Sequence, residues 1–243
     1  MLTRQTIRLF CGRDRMAYSK AIICLANARR PGGRCVAGKE VLKTALGGWI
    51  RPVSARPTSE VNAEERQYEP GAEPAIFDII GIPMRTPAPN NPQTENHIID
   101  AHSHWRKLGQ FAWEDLDELS DSPASLWANG SSSFQGLNDR MPGWLATDFR
   151  NSLHLIRPDD VVIRVVTSGA DFGDHRRRVR AQFVYRDTKY DFIVTDPASE
   201  EPFLARPNGE YTIGASYFCV SVTPEHTDGY SYKLVAIIIP ERT

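Results

Sequence analysis

The sequence predicts an all-β chain, mainly strands with one short helical insert, folded as two small barrels around a looped connector. Three observations carry this. Short apolar runs recur between Pro, Gly and polar breaks, period-2 alternation is clear in the C-terminal third, and a stretch rich in Pro, Asn, Ser and Gly separates the two strand-rich parts. The expected division is a first barrel with a basic face at 1–95, a connector at 96–150 and a second barrel at 151–243.

In the first part, TIRLFC (6–11) is a weak strand candidate and AIICLANA (21–28) a strong one, apolar on both faces as in a barrel interior. It stops at Arg29-Arg30-Pro31-Gly32-Gly33, where proline and two glycines make a turn from which Arg29, Arg30 and Arg34 can project. Further strands are expected at 35–38, 48–53 and 75–84. EDLDELSDS (114–122) places Leu116 and Leu119 at helical spacing, and PAPNNPQTEN and ANGSSSFQGLNDRMPG flank it as long loops.

From residue 153 the strand pattern resumes in LHLIRP, VVIRVVTS, RRRVRAQFVYR, KYDFIVTDP, YFCVSVT and YSYKLVAIII. Alternation puts Val179, Ala181, Phe183 and Tyr185 on a core side and Arg178, Arg180 and Gln182 on a wet side. With a short helix or irregular plug between 197 and 215, these strands suit a five-stranded Greek-key barrel. No repeat of 20–50 residues is visible, so any duplication lies in structure alone.

The chain has 243 residues, is 41% hydrophobic and 24% charged, and its formal net charge is −1, which argues against a protein that simply coats phosphate backbones. The charge is unevenly spread. Residues 1–56 hold 12 Lys and Arg against 2 acids, whereas 57–128 hold 4 against 13. The N-terminal stretch interrupts each apolar run with arginine, and no segment approaches the ~20 apolar residues of a membrane span; a soluble cytoplasmic protein is expected. Cys11, Cys24, Cys35 and Cys219 form no CxxC pair, so reduced thiols are expected, with no metal and no cofactor.

Binding nucleic acid takes cations for phosphates and flat side chains for bases. The expected contact set is Arg29, Arg30, Arg34 and Lys39 around the Gly-rich turn, Trp49 and Arg51 in GGWIRP, and Arg178 and Arg180 in the second half. Asn96, His97, Asn138, Asp139 and Arg140 form a possible cleft where the halves meet, suited to a base or nucleotide. Two rivals remain: an enzyme acting on a nucleic acid or nucleotide with His97, Asp100, His102 and Asp139 as acid–base or metal groups, and a protein–protein adaptor using the acidic middle. The HxH of His102 and His104 follows strand candidates without alternating helices, unlike the amidohydrolase context, and no phosphate-binding glycine loop or nucleophile elbow occurs. The sequence points to no catalytic residue.

The ordered blocks CLANARRPGGRCVAGKE, GGWIRPVS, QTENHIID, LW, LNDR, RRVRAQFVY, FIVTDP and GYSYKLVAIII resemble the bacterial dual OB-containing domain family from about residue 21 onward. The resemblance implies two tandem OB-like barrels and a nucleic-acid-binding role connected with bacterial genome conflict. The chain is further expected to be a module of a genome-conflict or nucleic-acid-processing system, with a protein partner from the same operon.

Overall fold

The computed structural model describes residues 18–68, 71–167 and 175–241. The strand candidate at 6–11 lies outside them. The described chain is mainly β, in two sheets.

The first sheet begins with β1 (Tyr18–Arg30), which turns back at Gly32 into β2 (Gly33–Val41), with Arg30 opposite Gly33. Gly32 has φ +81°, a conformation that most side chains avoid and glycine adopts freely. β3 (Leu46–Val53), β4 (Asp78–Pro87) and β5 (Asn96–Ile99) follow. β3 and β5 are parallel, β5 and β4 antiparallel, and β4 returns to β1, which closes the order β1-β2-β3-β5-β4-β1. This is a closed five-stranded OB-like barrel. The short α1 (Ala63–Arg66) lies between β3 and β4, started by a capping box of Asn62 and Glu65, and β6 (Arg106–Gln110) extends the sheet beyond β4.

Ile22, Cys24, Val36, Ile50, Ile80, Ile82, Met84 and Trp105 fill this barrel. The other side of β1 is equally apolar: Ile23, Leu25, Ala26 and Ala28 face out of the barrel into a different core. A bulge between Cys24 and Ala26 bends β1 where β2 crosses closely. A Cβ at Gly38 would stand 2.0 Å from the Ile23 carbonyl oxygen, so only glycine fits there.

The second sheet comprises β7 (Arg140–Pro142), β8 (Leu153–Ile156), β9 (Val161–Thr167), β10 (Arg177–Tyr185), β11 (Thr188–Val194), β12 (Gly209–Thr212), β13 (Ser216–Val222) and β14 (Tyr230–Pro240). The order β9-β10-β11-β14-β13-β8 repeats the first barrel's, with β8 and β9 sharing the place of the first strand, and β11 and β14 are parallel. α2 (Gly143–Ala146) follows β7, and α3 (Pro197–Leu204), capped by Asp196, crosses between β11 and β12. Val179, Ala181 and Phe183 are inside, as alternation predicts, with the Phe183 ring against Tyr190, Phe192 and Phe218.

Arg180 does not lie on a wet face but is 5% exposed, because the segment before β7 crosses over β10 and β11 and brings Asp139 onto it. The expected helix at 114–122 is a 3₁₀ helix over Trp113–Leu119, and its Leu116 and Leu119 are buried.

A third core joins the barrels. The outward residues of β1, with Ala37, Leu116 and Leu119, meet Leu153, Leu155, Tyr217, Cys219, Ala236, Ile237 and Ile239 of the second barrel. Apolar surface thus leaves water on the outside of each barrel as well as inside it.

Candidate nucleic-acid interface

The barrel–barrel seam opens into a cavity of about 360 Å³ beneath the β1–β2 hairpin. Its walls are small and apolar where the seam continues, at Ala26, Ala28, Ala37, Leu153, Leu234 and Ala236. Its polar groups come from elsewhere: Thr58, Gln93 of the loop between β4 and β5, Thr195, Ser221, and Thr223 and His226 of the loop between β13 and β14. Volume and lining both fall within the usual range of small-ligand sites.

Arg29, Arg30 and Pro31 form one rim of this cavity. The rim is fixed by the backbone, since the Arg29 amide donates to the Thr195 carbonyl at 2.9 Å and Arg34 exchanges two backbone bonds with Val61. Arg29 and Arg34 are direct cross-strand partners. Like charges placed opposite one another cost stability, so the hairpin tip holds cationic charge that strand pairing does not reward. On the far side of the same hairpin a recess of about 290 Å³ is lined by Arg29, Arg30, Arg178 and Glu200. Glu200, carried on α3, pairs with Arg29 at 2.9 Å, and burial holds its carboxyl above the ordinary range despite that cation. Cations therefore stand between two mainly apolar hollows.

The model of the dual OB-containing domain matches residues 20–238. The chain belongs to this family. No curated protein and no solved structure matches it.

In OB barrels, ligands lie against strands 2 and 3, between the loops that follow strands 1 and 4. In this dual OB chain the end of β1 and the loop after β4 supply Arg29, Arg30 and Gln93 to the cavity, while the second barrel leans on part of the strand face below. That seam accounts for several sequence-predicted residues. Lys39 is committed to Asp121 at 2.6 Å, and the Trp49 indole N–H donates to the same carboxylate at 2.9 Å while its ring packs on the seam. Arg51 is 0% exposed and bonds Glu95, Ser152 and Ser221. Arg180 is bracketed by Asp139 at 2.8 Å and Asp191 at 2.6 Å.

The five cleft residues are not brought together. Asn96 is buried in β5, and His97 accepts or donates at Nδ1 with the Tyr18 hydroxyl, its pKa lowered by burial. Asn138 orders its own loop by accepting from the Gly130 amide and donating to the Lys189 carbonyl. Asp139 accepts from Ser133 and Arg180, and Arg140 lies over the Tyr230 ring at 4.0 Å.

Among the described residues no three His, Cys, Asp or Glu side chains converge on a metal-sized site. His102 and His104 are exposed, and the Asp100 carboxylate accepts from Ser103 within its own turn. Cys24, Cys35 and Cys219 are free thiols, and Cys11 lies outside the described residues. No helix among the described residues is long and apolar enough to cross a membrane.

Sequence reasoning missed Thr58, Gln93, Thr195, Ser221 and His226, which come from separate loops and strand ends and carry no motif. The loop positions of Gln93 and His226, each after the fourth strand of its barrel, were the available signal.

Proposed function

We propose that this chain binds single-stranded nucleic acid, or a nucleotide, at the seam cavity. A base enters the apolar slot, and Arg29, Arg30 and Arg34 meet its phosphates. The observation that carries this reading is the like-charged hairpin tip standing directly over an apolar cavity with polar groups at its edge. Threonine, serine, glutamine and histidine side chains there supply donors and acceptors suited to the edge of a base, while the alanine and leucine walls suit its faces. Arg178, beside Glu200 in the neighbouring recess, extends the cationic surface to the second barrel. Lys39, Trp49, Arg51 and Arg180 act by holding this arrangement in place. The chain serves as a recognition module of a bacterial genome-conflict or nucleic-acid-processing system, with an operon-encoded partner protein; the family resemblance supports nucleic-acid binding in a setting of genome conflict.

Fluorescence anisotropy with labelled DNA and RNA oligonucleotides and with free nucleotides tests the reading. The parent is expected to bind with affinity that falls as salt rises, and Arg29→Ala, Arg30→Ala and Arg34→Ala combined to weaken binding and flatten the salt dependence, since fewer counterions are released. A parent that binds none of these probes overturns it, as does a folded triple variant indistinguishable from the parent.

A further inference from the structure

We propose a second binding element on the outer surface of the second barrel: an aromatic strip along which a single strand leaves the cavity, its bases stacking on Trp144, Tyr230, Tyr232 and His226. The proposal rests on the reading above and narrows its ligand from a nucleotide to a strand of several.

The strip is continuous with the cavity. His226 lines the cavity, and its ring lies 5.3 Å from that of Tyr232 in an edge arrangement. Tyr230 and Tyr232 are alternate residues of β14 and so share one side of the strand. Arg140 is the cross-strand partner of Tyr232, and its guanidinium covers the Tyr230 ring at 4.0 Å. The Gly143 amide then donates to the Gly229 carbonyl at 2.8 Å, which brings the start of α2 beside the same loop and places Trp144 next along the surface.

The strip offers flat rings to bases, with Arg140 as its cation and the carboxylates of Asp228 and Glu225 alongside, so its hold on a strand comes through the bases and the phosphates are left to the cavity rim. Trp144 is 69% exposed, an indole that contributes little to any of the three cores. The carboxylate of Asp228 accepts from the Tyr232 hydroxyl at 2.5 Å and the Tyr230 amide at 3.1 Å, bonds that fix the Tyr232 ring in place and hold the carboxyl below its ordinary pKa, so it stays charged. The Arg140 guanidinium, held over the Tyr230 ring with its Nε buried, stiffens that ring as a platform. Rings backed by a guanidinium hold bases of any sequence, because every base has a π face.

The test is a length series of labelled oligothymidylates from one to twelve nucleotides, read by anisotropy on the parent, Trp144→Ala, Trp144→Phe and Tyr230→Ala, each first shown to melt as the parent does. The parent should tighten with length and then level off. Trp144→Ala and Tyr230→Ala should each lose about tenfold or more of the length-dependent gain while binding the mononucleotide as the parent does, and Trp144→Phe should recover most of it. Alanine variants that gain with length as the parent does overturn the strip and leave the cavity reading intact. A parent that binds the mononucleotide but gains nothing with length does the same, and a parent that binds no member of the series overturns both.

Discussion

The guanidinium of Arg29 lies 2.9 Å from the carboxylate of Glu200, so the hairpin tip of one barrel is tied to a helix of the other. Arg29 is 56% exposed and Glu200 6%. A phosphate arriving at the rim competes with an internal carboxylate for the same cation. Glu200→Gln should therefore tighten binding of an oligothymidylate severalfold. Because burial raises the Glu200 pKa, acidification neutralises it above the pH at which an ordinary glutamate protonates, which frees Arg29. The parent should bind more tightly as pH falls through that window and Glu200→Gln should show no such change. Equal pH profiles for the two proteins would remove Glu200 from the site.

Asp121 is the second tie. It accepts from Lys39, from the Trp49 indole and from the Leu155 amide at 2.8 Å, which links strands of both barrels through one carboxylate. Asp121→Ala should cost about 2–3 kcal/mol in urea denaturation, since it strands several donors at once. Trp49→Ala should cost about 3 kcal/mol, so any loss of binding in that variant reports the seam and not base stacking. Unchanged denaturation midpoints would refute both expectations.

Lys233 is 1% exposed, bonds Asn129 at 2.9 Å and lies near the rings of Tyr190 and Phe192. Burial lowers its pKa from the ordinary 10.5 to about 7, against the opposing pull of Asp139. The unfolded chain thus holds this proton more firmly than the folded one, and the site makes stability rise with pH between those values. Lys233→Met should remove that rise and leave the protein at neutral pH as stable as the parent or more stable, by up to about 4 kcal/mol. A large destabilisation would show that the ammonium is a net support.

Arg180 gives the opposite case. Its removal leaves Asp139 and Asp191 buried, although Arg164 also pairs with Asp191. Arg180→Ala should cost about 3–5 kcal/mol. Thermal melting at neutral pH measures it, and a shift no larger than that of a surface substitution would contradict the burial.

The strands that the sequence made legible were those with a repeating apolar pattern, such as Val179, Ala181 and Phe183 in β10 or the continuous run of β1. β5 and β6 were hidden: NHII is four residues long, and RKLGQ has no buried alternation to show. The tip arginines could be read because proline and glycine mark a turn locally. Arg51 could not, since its partners Ser152 and Ser221 lie 101 and 170 positions away in the chain. An arginine beside tryptophan and glycine looks the same in sequence whether it meets phosphate or a buried glutamate, and only the seam decides.

β1 turns Ile22 and Cys24 toward one core and Ile23 and Leu25 toward another, so it keeps almost no side for water. A strand of that kind belongs to neither half alone. Either half expressed by itself would present the bare seam as a sheet of apolar side chains, a surface prone to association. A chimaera that replaced one barrel with a foreign OB barrel would therefore need a matching apolar surface on the newcomer, even though each half has a complete strand order of its own.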